Sequence, residues 1–242
     1  MIHLLLAAYN EGKALGNVLE KAEQSLSGQP HRVWVVDDGS SDNTANVARE
    51  WAKRIPLTLL RHPQNMGLGK ALQTGLSQIL PALAATDVLG IMDADNTQPP
   101  ELLPVLVQRI QNNEADVVIA SRFIAGGKSM GVPLFRRFTS AAARVLFRLF
   151  FHIPNVQDYT CGYRVYRGEL LLRAKNKWGV LLTEDGFAAT VELLVKLSAF
   201  SPRVAEVPLL LRYDRKPTPS KMPVFRTILK SLLLLRRLKK AK

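Results

Sequence analysis

The chain has 242 residues, enough for one large domain or two small ones. Its 47% hydrophobic and 22% charged residues make a globular chain with material for a large core. A formal net charge of +13 predicts an anionic partner: nucleic acid, anionic lipid or a phosphorylated substrate. The single cysteine, Cys161, excludes an internal disulfide and fits a reducing compartment.

Strands are predicted at Ile2–Ala8, Arg32–Asp37, Leu57–Arg61, Val88–Met92 and Ala115–Ala120. Helices are predicted between them at Gly12–Leu26, Asp42–Lys53, Gly67–Leu80 and Pro100–Asn112. Ile2–Ala8 has no basic residues before it and is followed by Glu11, so it reads as a strand and not as a secretory leader. The alternation argues for a parallel sheet with helices on both faces. Ser41-Asp42-Asn43-Thr44 supplies capping residues for the second helix. After residue 120 the pattern changes. Gly126–Gly131 reads as a flexible loop, Pro133–Phe151 as a helix and Pro154–Gly168 as irregular. A helix over Asp185–Phe200, a short strand at Arg203–Val207 and a basic loop at Arg212–Lys221 follow. The final segment from Met222 is apolar with interleaved Arg226 and Lys230, and reads either as a helix lying in a bilayer interface or as one packed on the domain. No run reaches the ~18 apolar residues expected of a membrane span.

The chemistry gathers at the predicted strand ends. Asp93-Ala94-Asp95 closes Val88–Met92, and alternation lets the two aspartates point the same way. Ligands of open α/β sheets collect at carboxyl strand ends, where two carboxylates suit Mg²⁺ completed by substrate phosphates. The same aspartates could equally form a turn or cap the helix after Pro99-Pro100. Tyr9 and Glu11 follow the first strand, and Asp38 follows the second; an aromatic ring can stack on a base and a carboxylate can accept from a base or ribose. Asn65-Met66-Gly67-Leu68-Gly69 opens the third helix, where glycines permit close approach and the helix N-terminus suits phosphate. No G-x-G-x-x-G follows the first strand, which counts against a dinucleotide oxidoreductase. The basic charge lacks an aromatic-interleaved motif for nucleic acid.

In this order and spacing, Ala8-Tyr9-Asn10-Glu11, Val36-Asp37-Asp38-Gly39-Ser40, Asn65-x-Gly67-x-Gly69, Asp93-Ala94-Asp95 and Ser121-Arg122-Phe123 resemble the family 2 nucleotide-sugar glycosyltransferases of the GT-A fold. Arg136 with Ser140, Asp158-x-x-Cys161-Gly162-Tyr163-Arg164, Gly186-Phe187 with Glu192, Glu206-Val207-Pro208 and Arg212 with Ser220-Lys221 point to the dolichol-phosphate-mannose-synthase-like branch. The resemblance implies a single α/β domain with a mostly parallel sheet over residues 1–221. A nucleotide-binding half (1–120) and an acceptor half (121–221) would precede a basic amphipathic helix at 222–242. It implies an inverting hexosyltransferase moving mannose or glucose from GDP-mannose or UDP-glucose to a polyprenyl phosphate, peripheral on the cytoplasmic face of a membrane and without nucleic acid. Ala8, Tyr9, Glu11, Val36, Asp38, Asp93, Ala94 and Asp95 would hold the nucleotide. Asp93, Asp95 and Thr97 would hold Mg²⁺ or Mn²⁺. Arg122, Arg136, Ser140, Arg212 and Lys221 would hold the acceptor phosphate, which is largely ionised at neutral pH and needs no general base. The alternative is a saccharide or glycolipid hydroxyl as acceptor, with Glu184 or Asp185 as base. Those two residues also read as the cap of a helix starting at Gly186. A non-catalytic lipid-binding module is the remaining alternative. The chain departs from the family at Ala7, where many members have Pro, and at Thr97, where many lipid-phosphate enzymes have Gln.

Overall fold

The computed structural model describes residues 1–217; the side chains of Arg136 and Arg137 also lie outside the described set. The strands expected in the first half form as β1 (Ile2–Ala8), β2 (His31–Asp37), β3 (Leu57–Arg61), β4 (Val88–Asp93) and β5 (Val117–Ser121). With two later strands, β7 (Arg164–Arg167) and β8 (Val204–Pro208), they make one seven-stranded sheet in the order β3-β2-β1-β4-β7-β5-β8. All neighbours are parallel except β7, which runs antiparallel to both β4 and β5.

Helices cover both faces because the buried strands are apolar on both. On β1, Leu5 points at α3 (Leu68–Ile79), where its Cδ1 lies 2.4 Å from the position a Cβ would take at Gly75. Its neighbour Leu4 points the other way, past Gly90 toward Leu103 of α4 (Leu103–Gln111). On that second face α1 (Gly12–Leu26) packs against α4 and α2 (Thr44–Ala52), and on the first α3 meets α7 (Ala189–Ser198). Burying one leucine of this kind is worth roughly 1.5–3 kcal/mol, and the core repeats it along every central strand.

The second half departs from the expected pattern in three places. The stretch Pro154–Gly168, read as irregular, contains β7. Its sequence Arg-Val-Tyr-Arg begins and ends in charge, yet Arg164 is fully buried, donating to Tyr159 O and Thr190 O at 2.6 Å each. The Gly126–Gly131 loop contains β6 (Lys128–Met130), paired in parallel with β9 (Leu210–Arg212). Gly168–Trp178 forms α6, for which the sequence predicts no element. The helix expected from Pro133 forms as α5 (Leu134–Phe151). Lys221, Ser220 and the predicted 222–242 helix lie outside the described residues.

β1 is the topological switch point. The chain leaves β1 outward through β2 and β3, then returns to β4 on the other side of β1. The crevice at the carboxyl ends of β1 and β4 is where such a fold binds ligands. The register sets Ala7 beside Asp93 at its mouth.

Candidate active site

A cleft of about 810 Å³ opens at that switch point. Two asparagines turn the chain into it. Asn10 after β1 and Asn96 after Asp95 both adopt positive φ, 52° and 63°, a conformation that asparagine tolerates better than most residues. Asn10 Oδ1 then accepts the Ser41 N–H at 2.8 Å, and Asn17 Nδ2 donates to Asn96 Oδ1 at 2.8 Å, fixing both loops. Of the residues expected to hold nucleotide, Ala8, Tyr9, Glu11, Asp38, Asp93, Ala94 and Asp95 line the cleft. Val36 does not; its side chain is fully buried in the sheet.

Asp93 and Asp95 both line the cleft, held by Thr97, which the sequence placed in the metal site, and by Gln98, which the sequence reading passed over. Asp93 N–H donates to Gln98 Oε1 at 2.9 Å, and Gln98 Nε2 donates back to Asp93 Oδ2 at 2.6 Å. Thr97 is only 4% exposed, and its N–H and hydroxyl both donate to Asp95 Oδ1, at 3.1 and 2.7 Å. Thr97 thus orients Asp95. The other oxygen of Asp95 carries the ammonium of Lys216, which arrives from the far end of the described chain. Burial, then the Asp95 charge, pushes the Asp93 carboxyl up to about 7. Burial works against the charge on Lys216, but Asp95, Glu11 and Asp93 outweigh it and hold its pKa above the ordinary lysine value. Lys216 is the cation paired directly with the aspartate pair, through Asp95 Oδ2. Among the described residues no cluster of three or more His, Cys, Asp or Glu forms a metal cage. Two carboxylates with free room before them fit a hard divalent cation whose remaining ligands come from phosphate oxygens and water.

Asp38 has most of its capacity engaged within the protein. Oδ1 accepts from Met66 N–H at 2.9 Å and meets His62 Nδ1 at 2.7 Å; Oδ2 accepts from Gly67 N–H at 2.8 Å. The N-terminus of α3, expected to offer its amides to phosphate, is filled by protein: Gly69 N–H donates to Asp185 O at 2.7 Å. Its glycines serve that packing. A Cβ on Gly69 would lie 1.9 Å from Glu184 O, and one on Gly67, at φ 95°, would lie 2.5 Å from Asp185 O.

Segment 183–186 is held from the other side by Glu192, which accepts from Thr183 N–H at 2.8 Å and Glu184 N–H at 2.9 Å and pairs with Lys196 at 2.8 Å. This capture delays α7 to Ala189, with no side-chain cap bond at its N-terminus. The expected cap by Glu184 or Asp185 of a helix starting at Gly186 is therefore absent. Asp185 lines the cleft, whereas Glu184 does not.

Among the described members of the expected anion cluster, Arg122 lines the cleft and Ser140 and Arg212 do not. Arg122 lines the cleft, but its guanidinium is paired with Asp158 through Nε–Oδ2 and Nη2–Oδ1, both at 2.7 Å. Burial opposes that charge, and Asp158 more than compensates, raising the Arg122 pKa. Asp158 is fully buried and also accepts from Cys161 N–H at 3.0 Å, while Glu206 accepts from Asp158 N–H at 2.8 Å. Arg212 turns to Asp214 at 2.7 Å, outside the cleft lining, while its N–H donates to Thr97 O at 2.8 Å. Ser140 sits half-buried on α5, also outside the lining. Arg136 lies on the first turn of α5 with its side chain outside the described set, as is Lys221.

Known proteins resemble this chain along most of its length. A dolichol-phosphate mannosyltransferase of Pyrococcus furiosus is 31% identical over 208 residues, covering 86% of this chain and 55% of the relative, so the chain spans little more than half of that protein. An undecaprenyl-phosphate mannosyltransferase of Micrococcus luteus is 32% identical over 219 residues, covering 90% of this chain and 86% of the relative. The structure of glucosyl-3-phosphoglycerate synthase from Mycobacterium tuberculosis, in complex with Mn²⁺, UDP and glucosyl-3-phosphoglycerate, superposes with a TM-score of 0.70. At 20% identity it covers 97% of this chain and 79% of that one, and it shares the fold. The family model for Glycosyl transferase family 2 matches residues 4–204, and the chain belongs to that family.

Proposed function

We propose that this protein transfers a hexose, mannose or glucose, from a nucleoside-diphosphate sugar to a polyprenyl phosphate at a membrane surface. The observation that carries the reading is the Asp93/Asp95 pair, fixed by Gln98 and Thr97 and lining an open cleft at the switch point of the sheet. Asp93 and Asp95 would hold Mg²⁺ or Mn²⁺, with Thr97 and Gln98 fixing the two carboxylates. When bound, the cation neutralises charge on the leaving diphosphate. Tyr9 and Glu11, on the same wall, would meet the nucleoside, and the remaining acceptor site of Asp38 Oδ2 would be available to it. Arg122, held by Asp158, would offer a guanidinium face to the acceptor side, with Arg136 and Lys221 the further candidates beside it; Ser140 and Arg212 lie outside the cleft lining. An ionised phosphate acceptor is its own nucleophile, so the protein need only orient it for single displacement with inversion.

The two relatives, a dolichol-phosphate and an undecaprenyl-phosphate mannosyltransferase, support the lipid-phosphate acceptor and mannose as the sugar. So does α5, which buries Phe147 and Phe151 while exposing Leu134, Phe138, Val145 and Leu149 at positions i, i+4, i+11 and i+15. Arg144 and Arg148 lie on the same helix. Among the described residues no helix is long and apolar enough to cross a membrane. We place the transferase unit at residues 1–221, with 222–242 a second amphipathic segment on the cytoplasmic face.

The test is a screen of GDP- and UDP-sugars against a short polyprenyl phosphate with Mg²⁺ or Mn²⁺, reading products by mass. Lipid-linked hexose is expected, with the monophosphate required. Transfer to a saccharide or glycolipid hydroxyl instead, lost in Asp185→Asn, would replace this reading with the second one. That second reading rests on Asp185 standing in the cleft wall.

A further inference from the structure

Lys216 lies on the Asp95 oxygen that a cation would need. Asp95 Oδ1 already accepts two hydrogen bonds from Thr97, which fills its two lone-pair directions. Oδ2 is the remaining oxygen, and Lys216 Nζ is on it. We propose that Lys216 is a cation placeholder: it occupies Asp95 until a divalent cation takes that carboxylate, and then turns its charge onto the diphosphate that arrives with the cation. This rests on the assignment of Asp93 and Asp95 to a divalent metal.

The charges argue for an exchange in which the lysine stays in the cleft. Lys216 pairs with Asp95, and Asp93 and Glu11 line the same cleft. A divalent cation entering alone takes the oxygen that Lys216 uses and meets its charge at short range, so cation and lysine compete. A cation entering with a diphosphate brings further negative charge, and the ammonium then has a new anion beside it. The tether suits this movement. Arg212 is pinned, its N–H on Thr97 O and its strand paired with β6. Only the turn Tyr213–Arg215 separates it from Lys216. The lysine can swing without leaving, and Tyr213 and Leu211 of the same segment line the cleft roof. By linkage, whatever Lys216 costs the metal alone reappears as cooperativity between metal and diphosphate.

The test measures Mn²⁺ binding to the full chain by electron paramagnetic resonance, without sugar donor and without turnover. Wild type, Lys216→Met, Lys216→Gln, Lys216→Arg and Asp95→Asn are compared, each with no nucleotide, with GDP and with UDP. Both neutral variants are expected to bind Mn²⁺ alone about tenfold more tightly than wild type, the scale of one partly buried ion pair. Lys216→Arg should stay near wild type. The factor by which the diphosphate tightens Mn²⁺ should be smaller in the neutral variants. Two neutral substitutions of different shape guard against misfolding of one. Unchanged Mn²⁺ affinity in both, with Asp95→Asn weakened, would overturn the placeholder and leave the metal site standing. Equal binding in all five proteins, Asp95→Asn included, would overturn the metal site and the placeholder with it.

Discussion

Two carboxylate groupings of the cleft region handle their charge in opposite ways. On the β1/β4 wall, Asp93 and Asp95 crowd together with one lysine between them, and Asp93 is pushed up to about 7. On the facing wall, Arg122 and Asp158 neutralise each other through two 2.7 Å bonds, and Asp158 is held below the ordinary carboxylate range. In the first, one lysine serves two aspartates that line the cleft; in the second, the charges are settled inside the protein. Carboxylates that look alike in sequence therefore divide between binding and scaffolding. Substituting them should separate activity from stability.

Asp95→Asn is the sharpest cut on the first wall. It should lower transfer by on the order of 10³-fold, because several kcal/mol of charge stabilisation at the diphosphate are lost. The loss of stability should be smaller than that of Asp158→Ala, because asparagine keeps an acceptor oxygen for the two Thr97 donors and removes no fully buried carboxylate. Turnover of product together with denaturant melts checks both. Full activity of the variant in EDTA would remove the pair from the chemistry.

Asp158→Ala should do the reverse. It strands the Arg122 guanidinium, 14% exposed, with no carboxylate beside it, and should cost about 3–5 kcal/mol in urea melts. The sign with pH follows from the native pKa. Burial alone would raise Asp158, but Arg122 outweighs it and lowers it. Its stabilisation is complete above the unfolded carboxylate range and is lost as pH falls through the depressed native value. The gap between wild type and Asp158→Ala should narrow in acid and stay constant from neutral pH upward.

How much of this was legible in the sequence follows the same division. β1, β2 and β4 are apolar runs ending in polar residues, so their ends and the Asp93/Asp95 pair could be located directly. The second half hid three of its strands; β8, expected at Arg203–Val207, forms at Val204–Pro208. β7 opens and closes with arginine, and only the finished fold shows that Arg164 answers backbone carbonyls in the core. β6 and β9 are three residues each and exist through a pairing some eighty residues apart in sequence. Lys216 was visible only as one cation in a basic loop, because its partner lies 121 residues earlier. Asp158, Glu192 and Glu206 were legible as family motifs, but their work is internal: each accepts backbone N–H groups and fixes a loop that lines or supports the cleft. A motif reports that a residue matters and not whether it faces ligand.

The exposed face of α5 extends the comparison beyond the cleft. Phe138 and Leu149 are 72% and 78% exposed, on a helix that otherwise packs through Phe147 and Phe151. The double variant Phe138→Ser/Leu149→Ser should sediment about tenfold less with phosphatidylglycerol vesicles, since two large apolar groups no longer enter the interface. Its unfolding free energy from urea melts should change by at most about 0.5 kcal/mol, as expected for surface positions. Transfer to a detergent-dispersed short-chain acceptor should be retained. Equal vesicle binding by the variant would move the membrane contact away from α5.

Thr97→Val is the smallest expected effect and decides how the first wall is organised. Valine keeps the shape of threonine and removes the hydroxyl that donates to Asp95 Oδ1 at 2.7 Å, while leaving the backbone N–H donor on the same oxygen at 3.1 Å. If Thr97 only orients Asp95, Mn²⁺ affinity should fall by about tenfold, the low end for losing a group that positions a metal ligand, because one of two orienting bonds survives. Thr97→Ser should restore it. If the hydroxyl oxygen instead binds the cation, Thr97→Val removes a ligand outright. The loss should then approach that of Asp95→Asn, and the Mn²⁺ resonance of the bound state should change shape. The orienting role predicts a weaker but spectroscopically unchanged site, because Thr97 Oγ1 is engaged as a donor and Asp95 Oδ2 is the oxygen that faces the incoming charge.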